Sequence, residues 1–137
     1  MRTVSILTAA AALAAAAPAL AASPHGAWKT PTGQVEIYSC GAQLCGKITG
    51  SPRISANPDL RDAKNKDEHL RSRKLMGLVF LTGFGGGPKE WTNGKVYNPE
   101  DGNTYQGTIT LVDDNTLNLR GCVIFPLCKT QTWSRLK

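Results

Sequence analysis

The stretch of residues 91–105 constrains the fold of this chain most strongly, because it places two reverse-turn signals among residues suited to β-strands. Asn93-Gly94 predicts a two-residue hairpin turn, since Asn and Gly adopt positive φ at the least cost. Residues 98–102 predict a second turn, in which Pro99 presets φ and Gly102 supplies the left-handed residue. Strands joined by turns at this spacing indicate an antiparallel meander.

The remainder of the chain continues the strand-and-turn pattern. Residues 34–38 and residues 105–111 alternate apolar with polar side chains, as half-buried strands do. Residues 75–84 form the longest apolar run beyond the N-terminal segment and predict a central strand that is buried on both faces. We predict about nine short strands with little helix, which favours an all-β fold, a small antiparallel meander β-barrel, over βαβ architecture.

A charged segment, residues 59–74, interrupts this pattern, and Ser51-Pro52 and Asn57-Pro58 before it break regular structure. The segment predicts a long loop with at most one short helix, at residues 67–71, covering one end of the barrel. Its carboxylates are of the type that binds Ca²⁺, but their spacing is not that of an EF-hand and Lys and Arg lie among them. We therefore predict no metal. We expect a structural role for three of its residues: Asp62 or Asn65 hydrogen-bonds the loop, with Arg73 reaching a carboxylate.

The N-terminal segment has the features of a secretory signal: Arg2, an alanine-rich apolar run at residues 4–17, and small residues around Ala21. We predict cleavage after Ala21, with Ala22 as the alternative, and a single β-barrel domain at residues 22–137. A membrane anchor is the other interpretation, but the run is shorter than the roughly 20 residues that span a bilayer. The mature chain has no other such run, so we expect a periplasmic or secreted protein without a transmembrane segment.

Four cysteines in an exported domain predict two disulfides. Of the three possible pairings we predict the two local ones, Cys40 with Cys45 and Cys122 with Cys128, because each pair brackets a chain reversal. A four-cysteine zinc site is the alternative. The local spacings are longer than those of the usual zinc knuckle, and an oxidising compartment opposes thiolate ligation.

The charge of the chain is mildly positive. Without Arg2, the 16 basic side chains become 15, against 10 acidic ones. This surplus suits contact with an anionic surface or another envelope component. The basic residues are not clustered as they are in nucleic-acid-binding proteins, so we expect no nucleic acid partner.

No constellation of catalytic residues is visible. His25 lies near the predicted new N-terminus, and His69 lies in the charged loop beside two carboxylates. There is no nucleophile-elbow, zinc-protease or phosphate-cradling motif, and paired cysteines leave no free thiol. We therefore expect no enzymatic activity and no cofactor.

An ordered set of short motifs spans residues 40–133. The set comprises Cys-Gly-x-x-Leu-Cys-Gly at 40–46, Asp62-x-x-Asn65, Arg73-x-x-x-Gly77-Leu78, Trp91-x-x-Gly94, Tyr97-x-Pro99, Gly102-x-x-Tyr105, Leu119-Arg120-Gly121 and Trp133. In these motifs the chain resembles the bacterial exported family called domain of unknown function 2147. The resemblance covers essentially the whole mature chain. It implies a barrel similar to lipocalins and fatty-acid-binding proteins, and it implies little about activity.

A second resemblance, to lipocalins, concerns the two ends of the barrel sequence. Lipocalins carry Gly-x-Trp on the first strand and an Arg on the last strand that lies over the indole. Gly26, Trp28 and Arg135 stand at the corresponding ends of this chain. A cation–π contact between the last two would tie the first strand to the last.

The candidate ligand-binding residues are mainly aromatic: Phe80, Phe84, Trp91, Tyr97 and Tyr105. Arg120 is a further candidate if it points into the lumen towards an anionic ligand; the alternative is an outward, solvated side chain. Barrels of this size either fill with side chains or hold one small ligand. We expect a periplasmic lipocalin-like module for a small apolar or amphipathic molecule. The alternative is a filled barrel that contacts an envelope protein, peptidoglycan or lipid headgroups.

Overall fold

The computed structural model describes residues 3–12 and 22–137, so the predicted cleavage site after Ala21 and most of the predicted signal segment lie outside the described residues. Eight antiparallel strands form one closed barrel, in which each strand pairs with its neighbours in sequence and β1 pairs with β8. The strands are β1 (Gly26–Lys29), β2 (Gln34–Cys40), β3 (Gln43–Gly50), β4 (Val79–Gly86), β5 (Glu90–Asn98), β6 (Asn103–Asp113), β7 (Thr116–Ile124) and β8 (Leu127–Arg135). The predicted all-β meander barrel is confirmed, with eight strands rather than nine.

The hairpin predicted at Asn93-Gly94 is wrong, because β5 runs straight through these residues. Asn93 does adopt a positive φ, of 58°, but the conformation serves a β-bulge between β5 and β6. A Cβ at Gly94 would lie 2.4 Å from ring atoms of Phe84. The glycine is therefore needed for the Phe84 ring to lie directly on the strand backbone. The second predicted turn, at residues 98–102, does join β5 to β6.

The apolar run at residues 75–84 is not a single strand buried on both faces. β4 begins only at Val79, whose exposed fraction is 41%, and only Leu81 and Phe84 of its residues are buried. Leu75 and Leu78 instead pack with Ile54 in a second, smaller apolar cluster outside the main core. The run is long because it serves two apolar clusters in succession.

Two short helices lie in the connection between β3 and β4. The first, α1 (Pro52–Ala56), starts where Ser51 accepts a hydrogen bond from the Ile54 amide at 3.1 Å. Proline suits the first turn of a helix, so Ser51-Pro52 starts regular structure rather than breaking it. The second is a 3₁₀ turn (Glu68–Leu70), which confirms the short helix predicted at residues 67–71.

The barrel has two different ends. The connections at residues 30–33, 51–78, 99–102 and 125–126 lie at one end, the mouth, and those at residues 41–42, 87–89 and 114–115 lie at the other, the base. The main core fills the barrel from the base upwards and comprises Trp28, Val35, Ile37, Leu44, Leu81, Phe84, Trp91, Ile109, Leu111, Leu117, Leu119 and Trp133.

Trp28 and Arg135 lie at the seam where the barrel closes. They are partners in the β1–β8 register, and the guanidinium carbon of Arg135 lies 4.3 Å from the Trp28 ring centroid. Gly26 has a φ of 118°, and a Cβ there would lie 3.2 Å from Arg135 Nη1. The Gly-x-Trp sequence thus leaves room for the arginine beside the first strand.

Both predicted disulfides are confirmed. Cys40–Cys45 closes the β2–β3 hairpin at the base, and Cys122–Cys128 closes the β7–β8 hairpin at the mouth. All four cysteines are therefore paired, which leaves no thiolate for the alternative zinc site.

Candidate ligand-binding site

A cavity of about 590 Å³ occupies the mouth half of the barrel. All six strands other than β1 and β4 contribute several or single residues to its lining. Phe80 of β4 and α1 with the segments beside it complete the lining. The apolar lining side chains are Val35, Ile48, Ile54, Leu60, Leu75, Phe80, Val96, Leu119, Val123, Leu127 and Trp133. The barrel is therefore filled in its base half and open in its mouth half.

Three of the candidate aromatic residues line this cavity: Phe80, Tyr97 and Tyr105. Phe84 and Trp91 do not. Both are buried in the core of the base half, where Phe84 packs against Gly94 and Trp91 packs beside Gly87. They are therefore not ligand-lining residues, because both rings are enclosed by the core of the base half and do not border the cavity.

Arg120 lies outside the barrel. Leu119 and Gly121 line the cavity, so the intervening side chain points to the opposite face of β7. It is exposed, its guanidinium lies 5.7 Å from the Phe125 ring, and its Nη2 lies 3.4 Å from Cys128 Sγ. The outward alternative is the one observed, and the inward one is wrong.

Trp133 also lines the cavity, although in the sequence it stands out only as the last of the motifs that resemble the family. Its ring centroid lies 6.3 Å from that of Phe80, at an interplanar angle of 39°. Its Nε1 donates a hydrogen bond to Gln131 Oε1 at 3.1 Å, so the polar atom of the indole is satisfied inside the lumen. Leu127 and Lys129 continue the same inward face of β8. The period-2 alternation of side chains along β8 is the sequence feature that could have predicted this inward face.

The rim of the cavity is polar and carries both signs of charge. Arg53, Lys129, Glu100 and Asp101 lie there. Burial alone would raise the pKa of Asp101, but hydrogen bonds from Tyr105 and Asn103 outweigh it and hold this pKa below its ordinary value. The bond to Asp101 in turn raises the pKa of Tyr105. An apolar interior beneath a mixed-charge rim suits an amphipathic molecule.

Asp62 anchors the long loop to the cavity wall. Its exposed fraction is 1%, and its carboxylate accepts hydrogen bonds from Tyr97 Oη at 2.5 Å, Asn65 Nδ2 at 2.9 Å and Arg73 Nε at 2.9 Å. These three donors satisfy the buried charge, which would otherwise be costly. Because Tyr97 also lines the cavity, the loop is attached to a residue of the site.

The pKa values of this cluster follow from its geometry. Burial alone would raise the pKa of Asp62, but the hydrogen bonds from Tyr97, Asn65 and Arg73, with the charge of Arg73, outweigh it and lower this pKa. Burial and the bond to the Asp62 carboxylate raise the pKa of Tyr97 to about 12. At neutral pH the pair is therefore a carboxylate and a neutral phenol that donates its proton.

The charged loop covers less of the cavity than predicted. Within residues 59–74 only Leu60 belongs to the lining, and the cover comes chiefly from Ile54 of α1 and from Leu75. The loop is held at the side of the mouth by the Asp62 cluster. Its polar composition suits this solvent-facing position.

Two further properties concern the described residues as a whole. Residues 3–12 and 22–137 contain no group of three His, Cys, Asp or Glu side chains placed to hold a metal ion. In the same part of the chain, no helix has both the length and the apolar character needed to cross a membrane.

Comparisons with known proteins give a family match and a solved structure with a similar fold. Residues 26–135 match the model of a protein family described as "Uncharacterized protein conserved in bacteria (DUF2147)". The chain belongs to this family. The matched region begins at Gly26 and ends at Arg135, which meet at the barrel seam. A comparison with curated proteins gave no match.

A solved structure with a similar fold is protein HP1028 from the human pathogen Helicobacter pylori, which is described as belonging to the lipocalin family. The sequences are 23% identical, the TM-score is 0.77, and the match covers 85% of this chain and 84% of that chain. The likeness shows the fold, so this DUF2147 protein is a lipocalin-like barrel.

Proposed function

We propose that this DUF2147 protein is a periplasmic lipocalin-like module that binds one small apolar or amphipathic molecule in the mouth of its barrel. The observation that carries the proposal is the cavity of about 590 Å³. Ligand sites in proteins typically have volumes of about 300–1,000 Å³, with a mainly apolar lining and a few polar groups. The cavity has all three properties.

The arrangement of apolar and polar lining residues supports an amphipathic ligand. Leu119 and Trp133 belong to the core and form the apolar floor, whereas Arg53 and Lys129 lie among the polar residues of the lining. A hydrocarbon portion directed at the floor gains from leaving water, and a polar or charged head group stays at the solvated rim. We therefore expect a single-headed molecule that enters with its apolar part first.

Separate features support the proposed compartment and the proposed absence of catalysis. The signal-like N-terminal sequence, the two disulfides and the bacterial family support export to the periplasm. The described lining includes no histidine, and all four cysteines are paired. We therefore propose binding without a chemical step.

Native mass spectrometry of the protein recovered from the periplasm of its own host tests this function. We expect a mass above that of the polypeptide, which returns to the polypeptide mass under denaturing conditions. Fatty acids and single-chain lipids added to the stripped protein should restore a bound species. An unliganded native mass, combined with no binding across that panel, would rule the function out.

The same periplasmic sample distinguishes this function from the alternative, an envelope interaction protein. This alternative requires a lumen filled with side chains, and the cavity counts against it. It would gain support if the lumen were always empty while the protein was recovered with a specific envelope protein or with peptidoglycan.

A further inference from the structure

The tip of the β7–β8 hairpin exposes a run of large apolar side chains at the mouth of the barrel. We call Val123, Ile124, Phe125, Pro126 and Leu127 the apolar tip. The exposed fractions of its four largest apolar side chains lie between 67% for Val123 and 76% for Phe125. Contiguous apolar surface on a water-soluble domain marks a binding surface. From this surface we infer that the apolar tip docks the barrel mouth onto an anionic phospholipid bilayer.

The strands hold the apolar tip as a fixed projection. Cys122 and Cys128 are register partners at the end of the hairpin and are linked by a disulfide. The apolar tip lies immediately beyond this cross-link. Its side chains are therefore presented together rather than on a frayed terminus, which lowers the entropic cost of inserting them into another phase.

The charge of the hairpin complements an anionic surface. Residues 115–137 include Arg120 and Lys129 close behind the apolar tip and contain no acidic side chain. The Arg120 guanidinium already lies 5.7 Å from the Phe125 ring. Arginine and lysine side chains of this kind keep their charge at the headgroup level while their stems lie on apolar surface. Basic residues near a bilayer favour anionic lipids.

The dimensions of the hairpin fit shallow insertion. Arg120 precedes Ile124 by four residues, which is roughly 13 Å along an extended strand. Interfacial elements bury their apolar faces about 5–10 Å into the boundary between headgroups and acyl chains. Ile124 and Phe125 can therefore reach the acyl boundary by shallow insertion, while the Arg120 guanidinium, 5.7 Å from the Phe125 ring, extends back to the phosphates.

A bilayer fits the apolar tip better than a protein partner or a second copy of this chain. Stable protein interfaces bury about 800 Å² on each partner and draw on roughly 20–30 residues, whereas the apolar tip is a convex projection of five residues. Reversible membrane docking needs only a few inserted apolar side chains with nearby cations. Glu100 and Asp101 also lie at the mouth, so we expect the preference for anionic lipid to be moderate.

The inferred docking surface is continuous with the cavity, because Val123 and Leu127 belong to both. A docked barrel would therefore face the bilayer with its mouth. An amphipathic molecule would then pass between membrane and lumen with little exposure to water.

Vesicle flotation tests the inference without any lumen ligand. The protein is used in its cell-processed form, with its N-terminus defined by mass, and is mixed with vesicles of phosphatidylglycerol and phosphatidylcholine. We expect binding that Ile124→Ser combined with Phe125→Ser weakens about tenfold or more. Arg120→Gln combined with Lys129→Gln should remove the preference for phosphatidylglycerol. Val112→Ser is the matched control, because Val112 is 52% exposed on β6 near the base, and it should bind as the wild type does.

A direct readout of depth comes from Phe125→Trp. Its emission should shift to the blue on vesicle addition and should be quenched by lipids that carry bromine on their acyl chains. The inference is overturned if the folded wild type does not bind these vesicles or if the Ile124 and Phe125 double variant binds equally well. Self-association through the apolar tip, detected by sedimentation and lost in that variant, would also overturn it. An empty lumen in native mass spectrometry, together with no binding across the lipid panel, would refute the proposed function and leave this test unaffected.

Discussion

Arg135 of the last strand lies on Trp28 of the first, with 4.3 Å between the guanidinium carbon and the centroid of the indole ring. Its Nη1 also donates to the backbone carbonyl of His25 at 2.7 Å, and its other nitrogens donate to the carbonyls of Ser23 and Asp114. One side chain therefore joins the N-terminal segment, the first strand and the β6–β7 turn. The β1–β8 seam has only two register pairs, so this contact is expected to contribute strongly to barrel closure.

Arg135→Ala should lower the free energy of unfolding by about 2–3 kcal/mol, because it removes the cation–π contact and several hydrogen bonds to carbonyls. Urea denaturation followed by tryptophan fluorescence measures the change. Arg120→Ala is the control, since Arg120 is an exposed arginine on β7, and it should change stability by less than about 0.5 kcal/mol. Equal stabilities for the two variants would mean that the seam does not depend on Arg135.

Gly94→Ala should destabilise the barrel by about 1–3 kcal/mol, because its Cβ would lie 2.4 Å from atoms of the Phe84 ring. Gly85→Ala is the matched control on β4, since its Cβ would meet nothing within 4 Å. In a Phe84→Leu background the cost of Gly94→Ala should shrink, because the clashing ring is gone. Additive effects of the two substitutions would argue against direct packing of the ring on this glycine.

Asp62→Asn should lower the free energy of unfolding by about 2 kcal/mol at neutral pH, because it weakens charge-assisted hydrogen bonds from Tyr97 and Arg73. The folded protein lowers the pKa of Asp62. This stabilisation is therefore complete above the unfolded pKa of about 3.9 and is lost as the pH falls through the lower folded value. Wild-type stability should decline over this acid range.

Urea titrations at several pH values check the expectation for Asp62. The difference in stability between the wild type and Asp62→Asn should narrow as the pH falls below about 4. If this difference in stability stays constant down to the lowest pH at which the protein folds, Asp62 is not the source of the stability lost at acid pH.

Replacing each cysteine pair by serine should cost about 2 kcal/mol, since both disulfides close short loops, with sequence separations of 5 and 6. The two losses should differ in their consequences. Loss of Cys122–Cys128 should also weaken vesicle binding, because it loosens the apolar tip, whereas loss of Cys40–Cys45 at the base should not. Flotation of both serine variants under conditions where each is folded makes the comparison, and equal binding would contradict the docking role of the hairpin.

The sequence predicts the meander well where a local signal has one structural meaning. The turn at residues 98–102 and the alternation of β6 are of this kind, and the two cysteine pairs mark real reversals. Asn93-Gly94 has two possible structural meanings, because a hairpin turn and a β-bulge both need residues that adopt positive φ at low cost. The choice between them depends on where the Phe84 ring packs, which is a tertiary property.

The candidate site was predicted less completely than the fold. Tyr97 and Tyr105 were found because aromatic residues on a barrel strand are natural lining residues. Phe84 is also an aromatic residue on a barrel strand, but it packs in the core, and the sequence does not show how far along the barrel the core extends. Ile54 is not predicted as a lining residue, because α1 begins at Ser51-Pro52, a dipeptide that is equally typical of a break. Whether an inward-facing residue lines the cavity or packs in the core therefore depends on its tertiary surroundings.

If the mouth cavity binds the ligand, a variant that fills this cavity should lose binding. Gly121 belongs to the lining, and its Cβ would be in ordinary contact, 3.7 Å from the Cβ of Tyr105. Gly121→Leu should therefore fold and occupy the lumen. Gly85→Leu is the matched control, because its Cβ would meet nothing within 4 Å and Gly85 does not belong to the lining.

Isothermal titration of the stripped proteins with the fatty acids or single-chain lipids that the wild type binds is the measurement. We expect the wild type and Gly85→Leu to bind with the same Kd, and Gly121→Leu to bind about tenfold more weakly or not at all. Equal binding by a folded Gly121→Leu variant would show that the ligand does not occupy the cavity.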